Sequence, residues 1–220
     1  MFIRAEAVLT TIALVVSAAS VCAGPASLTY DGRSFGAFVD VDPVPATFAS
    51  DTGDLPSIGG TLQTTATDVL LDNVLNAEFM STRVYSNATG VNSFAQTITL
   101  SVLPGTPAAL TASTVSSTAI ALCGGTVGSV SATHLVFGGN PIQLTGTNQT
   151  VAIPGVATLI INERIETITP FSSDVTINAL HLVLEGGGEV IVSSSHAAVG
   201  DCAVVGAHPM PWSNLKALYR

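Results

Sequence analysis

The chain is poor in charge. Asp, Glu, Lys and Arg make up 10% of its residues, against about 25% in an ordinary soluble domain. Thr, Ser, Asn and Gly must therefore cover most of the surface. Positive charge is scarcest: six Lys and Arg stand against fifteen Asp and Glu, a net charge of −9. That excludes nucleic acid as a partner, because phosphate binding needs a Lys/Arg footprint. It equally excludes electrostatic docking on anionic membranes. Aromatic residues are 5%, which weighs against a sugar-stacking surface. There is no Gly-x-Ser-x-Gly, no phosphate-binding loop and no His-Glu-x-x-His, so the usual hydrolase, nucleotide and zinc-protease signatures are missing. No two cysteines form a Cys-x-x-Cys pair, which removes support for a redox or zinc-knuckle role.

What is present begins with a leader. Arg4 gives a basic start, Ala7 to Ala19 is an almost unbroken apolar run, and Val21 and Ala23 are small residues before a cleavage point. This is the layout of a secretory signal peptide, with cleavage after Ala23. A membrane anchor is the alternative, but the run is short against the roughly 20 residues a span requires. The expected organisation is a signal peptide over 1–23, one all-β domain over 24–207 and a tail over 208–220 that forms a short surface helix. Cleavage leaves two cysteines, Cys123 and Cys202. In an exported chain they are expected to form one disulfide, two free thiols being the alternative. The expected location is secreted or at the cell surface, with an unknown extracellular or envelope partner, no cofactor, and no stable membrane insertion after cleavage.

Strand formers dominate the rest, in short runs broken by Gly, Pro, Asn and Asp. Residues 34–41 read as a first strand and 51–60 as a loop. Four units share one shape, a polar run, an apolar strand, a turn and a returning strand. They are residues 64–82, 96–114, 129–147 and 176–194, turning at Asp72-Asn73, Pro104-Gly105, Gly138-Gly139 and Gly186-Gly188. A further hairpin turns at Pro154-Gly155. Consecutive antiparallel hairpins with apolar faces pack most economically as a β-sandwich of two sheets. A β-solenoid is the alternative, because units of similar length can also stack.

The order of motifs resembles the choice-of-anchor P family of exported bacterial proteins. The resemblance runs through "SFGAF" from Ser34, "TASTVSSTAIALCGG", "NQTVAIPGVATLIINERI", "TINALHLVL" and "VIVSSSHAAVGDC", which spans most of the chain after the leader. It implies a bacterial, surface-associated protein and assigns no specific activity. This sequence departs from the anchored pattern: no LPxTG motif and no apolar tail with a basic stop follow Cys202. Release or non-covalent retention is therefore expected.

The polar islands are the candidate sites. A zinc or copper centre, and the metal-dependent enzyme it would make, requires Glu163, His181 and His196 to converge. A hairpin centred on Gly187 pairs Asn178 with His196 and residue 181 with residue 193. That register sends the two histidines to opposite faces of the sheet. The plainer reading is a structural polar patch around Asn162, Glu163, Asn178, His181 and His196, with no catalytic residue. Asp51-Thr52-Gly53 has the form of an aspartic-protease motif. That chemistry needs two carboxylates, and the motif occurs once. Asp40, Asp42, Asp51 and Asp54 offer oxygen ligands for calcium, and Tyr30, Tyr85 and Trp212 offer rings for a carbohydrate. The two glycosylation-type sequons, at Asn87 and Asn148, are ascribed to chance in a Thr-rich chain. The leading expectation is an exported, non-catalytic structural or adhesion-type domain, with a carbohydrate- or calcium-binding module second.

Overall fold

A computed structural model of the chain describes residues 28–42 and 44–202. The expected signal peptide, the expected tail helix and Trp212 lie outside the described residues.

Thirteen strands are described, β1 (Thr29–Val41), β2 (Val44–Asp51), β3 (Thr61–Leu71), β4 (Leu75–Asn87), β5 (Gly90–Val102), β6 (Leu110–Leu122), β7 (Gly125–Thr133), β8 (Val136–Phe137), β9 (Asn140–Pro141), β10 (Gln149–Ile153), β11 (Ala157–Ile168), β12 (Ser173–Leu184) and β13 (Glu189–Gly200). They form two antiparallel sheets, a β-sandwich as the hairpin pattern predicts. The first sheet runs β10-β11-β12-β13-β1-β2. The second runs β3-β4-β5-β6, with β7 and β8 both on β6 and β9 beyond β8. The hairpins at Asp72-Asn73, Pro104-Gly105, Pro154-Gly155 and the glycine triplet all form. The unit over 129–147 does not form the expected long hairpin: its first residues belong to β7, and only the two-residue strands β8 and β9 flank Gly138-Gly139. A proline at position 141 removes the ladder donor that a longer return strand would need. Pairing of the first long strand with the last, β1 with β13, adds β1 and β2 to the sheet and leaves no trace in local sequence.

The glycine hairpin differs from the symmetric expectation. His181 pairs with Ile191 and Asn178 with Ser194, so the turn is centred on Gly186 and the register is displaced by two residues. Gly187 and Gly188 have φ of 95° and 98°, a region other residues avoid. A Cβ on Gly188 would also sit 2.6 Å from the Asp40 carbonyl oxygen.

A second departure is more consequential. In each sheet one row of residues breaks the ladder. In the first sheet the row is Ser50, Gly36, Ser193, Ala179 and Asn162. In the second it is Asp68, Glu78, Thr99, Ser113 and His134. Every other strand in each row holds a positive φ: 51°, 53° and 54° at Ser50, Ser193 and Asn162, and 51°, 54° and 52° at Asp68, Thr99 and His134. A left-handed residue inside a strand reverses the side-chain alternation. Along β13, whose row residue Ser193 is left-handed, the buried alternation runs Val190 and Val192 before the row, then Ser195, Ala197 and Val199 after it. One strand reversing alone would lose its register with both neighbours, so the reversal spans the sheet.

Between the sheets the core divides in two. The larger apolar cluster centres on Leu75, Met80, Leu110, Phe137, Leu159 and Leu180. The smaller holds Val84, Val91, Val175, Ile177 and Val199. Buried hydroxyls near the reversal rows link the sheets. The Thr97 and Ser193 hydroxyls lie 3.0 Å apart, within reach of the Gly36 and Val115 carbonyls. The Ser117 and Ser195 hydroxyls are 2.7 Å apart, and Thr82 donates to the Ser50 carbonyl at 2.8 Å. Hydroxyls buried this deeply need such partners, so the belt fixes how one sheet sits on the other.

The expected disulfide is present. Cys123, in the turn between β6 and β7, bonds to Cys202 just after β13, with Cα atoms 5.5 Å apart. It ties the second sheet to the last strand of the first.

Candidate functional site

The polar residues singled out above lie on the outer face of the first sheet, and the reversal row puts them there. Strict alternation places His181 and Asn178 on opposite faces. Reversal at Ala179 turns both outward, and reversal at Asn162 turns Glu163 outward beside them. Asparagine suits that position, since its short polar side chain tolerates the left-handed region. Its Nδ2 donates to the Gly146 carbonyl at 3.1 Å, and Arg164 N–H donates to Asn148 Oδ1 at 2.7 Å.

The result is one continuous chain of hydrogen bonds across three strands. Ser194 Oγ donates to Asn178 Oδ1 at 2.7 Å, and Asn178 Nδ2 donates to Glu163 Oε2 at 2.7 Å. His181 Nδ1 lies 2.9 Å from Glu163 Oε2, and its Nε2 lies 2.9 Å from Glu189 Oε2. Both ring nitrogens of His181 are engaged by carboxylates within the sheet face. The Ser194 hydroxyl is directed at the Asn178 amide, so this geometry does not make it a nucleophile paired with a base.

Of the three proposed metal ligands, Glu163 and His181 meet and His196 stays apart. His196 is also on the outer face, which corrects the expected separation of the histidines to opposite faces. It pairs with Thr176, whereas His181 pairs with Ile191, five residues away along β13 or roughly 16 Å. Its Nε2 contacts Asp174 Oδ1 at 3.2 Å instead. Among the described residues no group of three or more His, Cys, Asp or Glu is arranged to hold a metal ion. The end member of the cluster, Glu189, was not signalled by the sequence. It directly follows the glycine triplet, and only the displaced register brings it to His181.

The acidic residues offered for calcium do not gather. Asp51 receives Arg33 Nε at 2.9 Å and Nη2 at 2.6 Å, and Asp54 lies 3.8 Å from the same guanidinium. The hydrogen bonds to Asp51 raise the Arg33 pKa above its ordinary value, against burial and with help from the charges of Asp51 and Asp54. Asp51 Oδ1 also accepts from Gly53 N–H, so Asp51-Thr52-Gly53 is an ion-paired loop start. Asp40 lies beyond the reversal, paired with Glu189. Tyr30 packs against the smaller core cluster, and Tyr85 sits on the other sheet under Arg83, 4.8 Å from ring to guanidinium. The two rings therefore form no common platform.

The aromatic surface that does form is one the sequence reading missed. Phe48 contacts Phe35 and Phe38, with ring centroids 5.1 and 4.7 Å away, and Arg33 lies 4.4 Å over its ring, a cation–π contact. The spacing of Phe35 and Phe38 could have revealed it only if the reversal at Gly36 were known, since strict alternation puts them on opposite faces. Beside this cluster runs a shallow open groove lined in part by Arg33, Phe35, Asn178, Ser194 and His196. The sequon asparagines have turn roles: Asn87 Oδ1 accepts from Thr89 and Gly90, and Asn148 has φ 55°. Compared with protein-family models, with curated proteins and with solved structures, the chain finds no match.

Proposed function

We propose that this chain is an exported, non-catalytic β-sandwich that acts at the bacterial cell surface or outside the cell as a structural or adhesion-type module. The observation that carries this reading is the Cys123–Cys202 bridge. Disulfides persist where thiols oxidise, and this one accompanies a leader-like start. The non-catalytic part draws its support from the outer face. Its histidine and carboxylates are bonded to one another, and the groove beside them is open and shallow. An open face suits an extended or macromolecular partner better than a small substrate, which binds in an enclosed cavity. The resemblance to choice-of-anchor P proteins supports surface association.

Fractionation of producing cells tests the proposal. The chain is expected in the envelope or the medium. Recovery in the cytosol, or an intrinsic hydrolytic activity lost on Glu163→Gln, would overturn it.

A further inference from the structure

Sheet edges present unpaired N–H and C=O groups, and proteins normally defend them with charge, proline, bulges or short length. Four edges here are defended in that way. β2 carries Pro45, β9 has two residues and β10 five, and the half of β11 beyond β10 carries the Arg164–Glu166 pair at 2.9 Å. β3 holds Asp68 at a reversal, with φ 51°. β7 is different. Its sequence, GTVGSVSAT, has no charge and no proline. It pairs with β6 along its length, and among the described residues no strand lies on its other side. Arg164 and Glu166 hydrogen-bond it only at Thr126, with the Arg164 guanidinium also near Gly128. Among the described residues no strand pairs with the edge from Val127 to Thr133.

We propose that this edge pairs with the same edge of a second copy of the chain, as an antiparallel ladder about a two-fold axis. The partner must present unpaired strand backbone, and its side chains at the seam must carry no charge, as those of GTVGSVSAT do not. A second β7 meets both conditions. Self-pairing about a two-fold axis gives the antiparallel geometry and is the commonest closed symmetry of oligomers. Centred on Val130, it sets Gly128 against Ala132 and Ser129 against Ser131, so small residues face small residues and the inward set stays inward. Half-exposed Val127, at 54%, gains cover at the ends. The two five-stranded arrays β3-β4-β5-β6-β7 become one continuous sheet. This goes beyond the functional reading above, and its test does not depend on where the chain works.

The test is the oligomeric state of the oxidised chain by light scattering or sedimentation across a concentration series, with hydrogen exchange at β7. Ser129 and Ser131 are exposed, so the double variant Ser129→Glu/Ser131→Glu should fold. The expected results are a concentration-dependent dimer and slowed exchange of β7 amides on dimerisation. The variant should weaken association at least about 100-fold, since like charges are brought together. Thr65→Glu on β3 should leave the dimer intact. A monomer at every soluble concentration would overturn the proposal. So would a dimer that survives the double variant, or one that Thr65→Glu dissociates. Protected β7 amides in a monomer would also overturn it, by showing that the chain covers its own edge.

Discussion

Replacing Glu163 by Ala removes the acceptor at the centre of the outer-face cluster. Glu163 Oε2 takes one hydrogen bond from Asn178 and one from His181. Asn178 is 5% exposed, so its stranded N–H finds little water and loses most of the roughly 1–3 kcal/mol assigned to an unpartnered buried donor. The His181 side chain is 16% exposed and recovers part of its loss by hydration. The variant should therefore cost about 2–3 kcal/mol, a large share of the roughly 5–15 kcal/mol that holds a domain folded. His196→Gln is the internal control. Its single bond to Asp174, whose side chain is 53% exposed, is worth about 1 kcal/mol or less. Urea denaturation gives both numbers, read from the midpoint at unchanged slope. A cycle with Asn178→Ala should show coupling of about 1 kcal/mol, as contacting residues do. If Glu163→Ala costs no more than His196→Gln, or the cycle shows no coupling, the cluster does not tie the strands together and the reasoning fails.

Three further outcomes follow from other parts of the fold. The bridge closes a separation of 79 residues, for which loop-closure entropy gives about 4–5 kcal/mol as an upper figure; Cys123→Ser/Cys202→Ser should lower the urea midpoint strongly, and an unchanged midpoint would contradict the bridge's role. Thr99 is β-branched at φ 54°, where the left-handed region costs roughly 1–2 kcal/mol. Thr99→Asn should raise the melting temperature slightly, and a fall would argue against the reversal row. The Arg164 hydrogen bond, with help from Thr126, lowers the Glu166 pKa below 4.5. A depressed carboxylate stabilises above its unfolded pKa and loses that contribution as pH falls through its folded one. The small stability gap between wild type and Glu166→Gln should therefore be present at neutral pH and close in acid; a gap that widens in acid would refute the assignment.

Much of the architecture was legible because it is local. Turn chemistry at Asp72-Asn73, Pro104-Gly105, Pro154-Gly155 and the glycine triplet marks hairpins, and alternating apolar residues beside them require a sandwich. The cysteine pairing was legible by arithmetic once residues 1–23 were set aside as an expected leader. The site was not. Glu163, Asn178 and His181 were recognised as a polar patch, but their common face depends on a reversal shared by five strands. No single strand announces it: Ser193 and Thr99 look like ordinary strand residues, and Gly36 could serve many roles. A period-of-two argument fails beyond such a row. For that reason the two histidines were expected on opposite faces, and the Phe35–Phe38–Phe48 surface escaped notice. The two-residue displacement of the last hairpin was equally invisible, since three consecutive glycines allow more than one turn centre.

The most direct test of an exported, oxidised module is the intact mass of the chain recovered from producing cells, taken with and without a thiol-blocking reagent. The account predicts a chain that begins at Gly24, lies in the envelope or medium, and accepts no thiol label until it is reduced. A chain that keeps residues 1–23, stays in the cytosol, and takes up label at both Cys123 and Cys202 without reduction would contradict it.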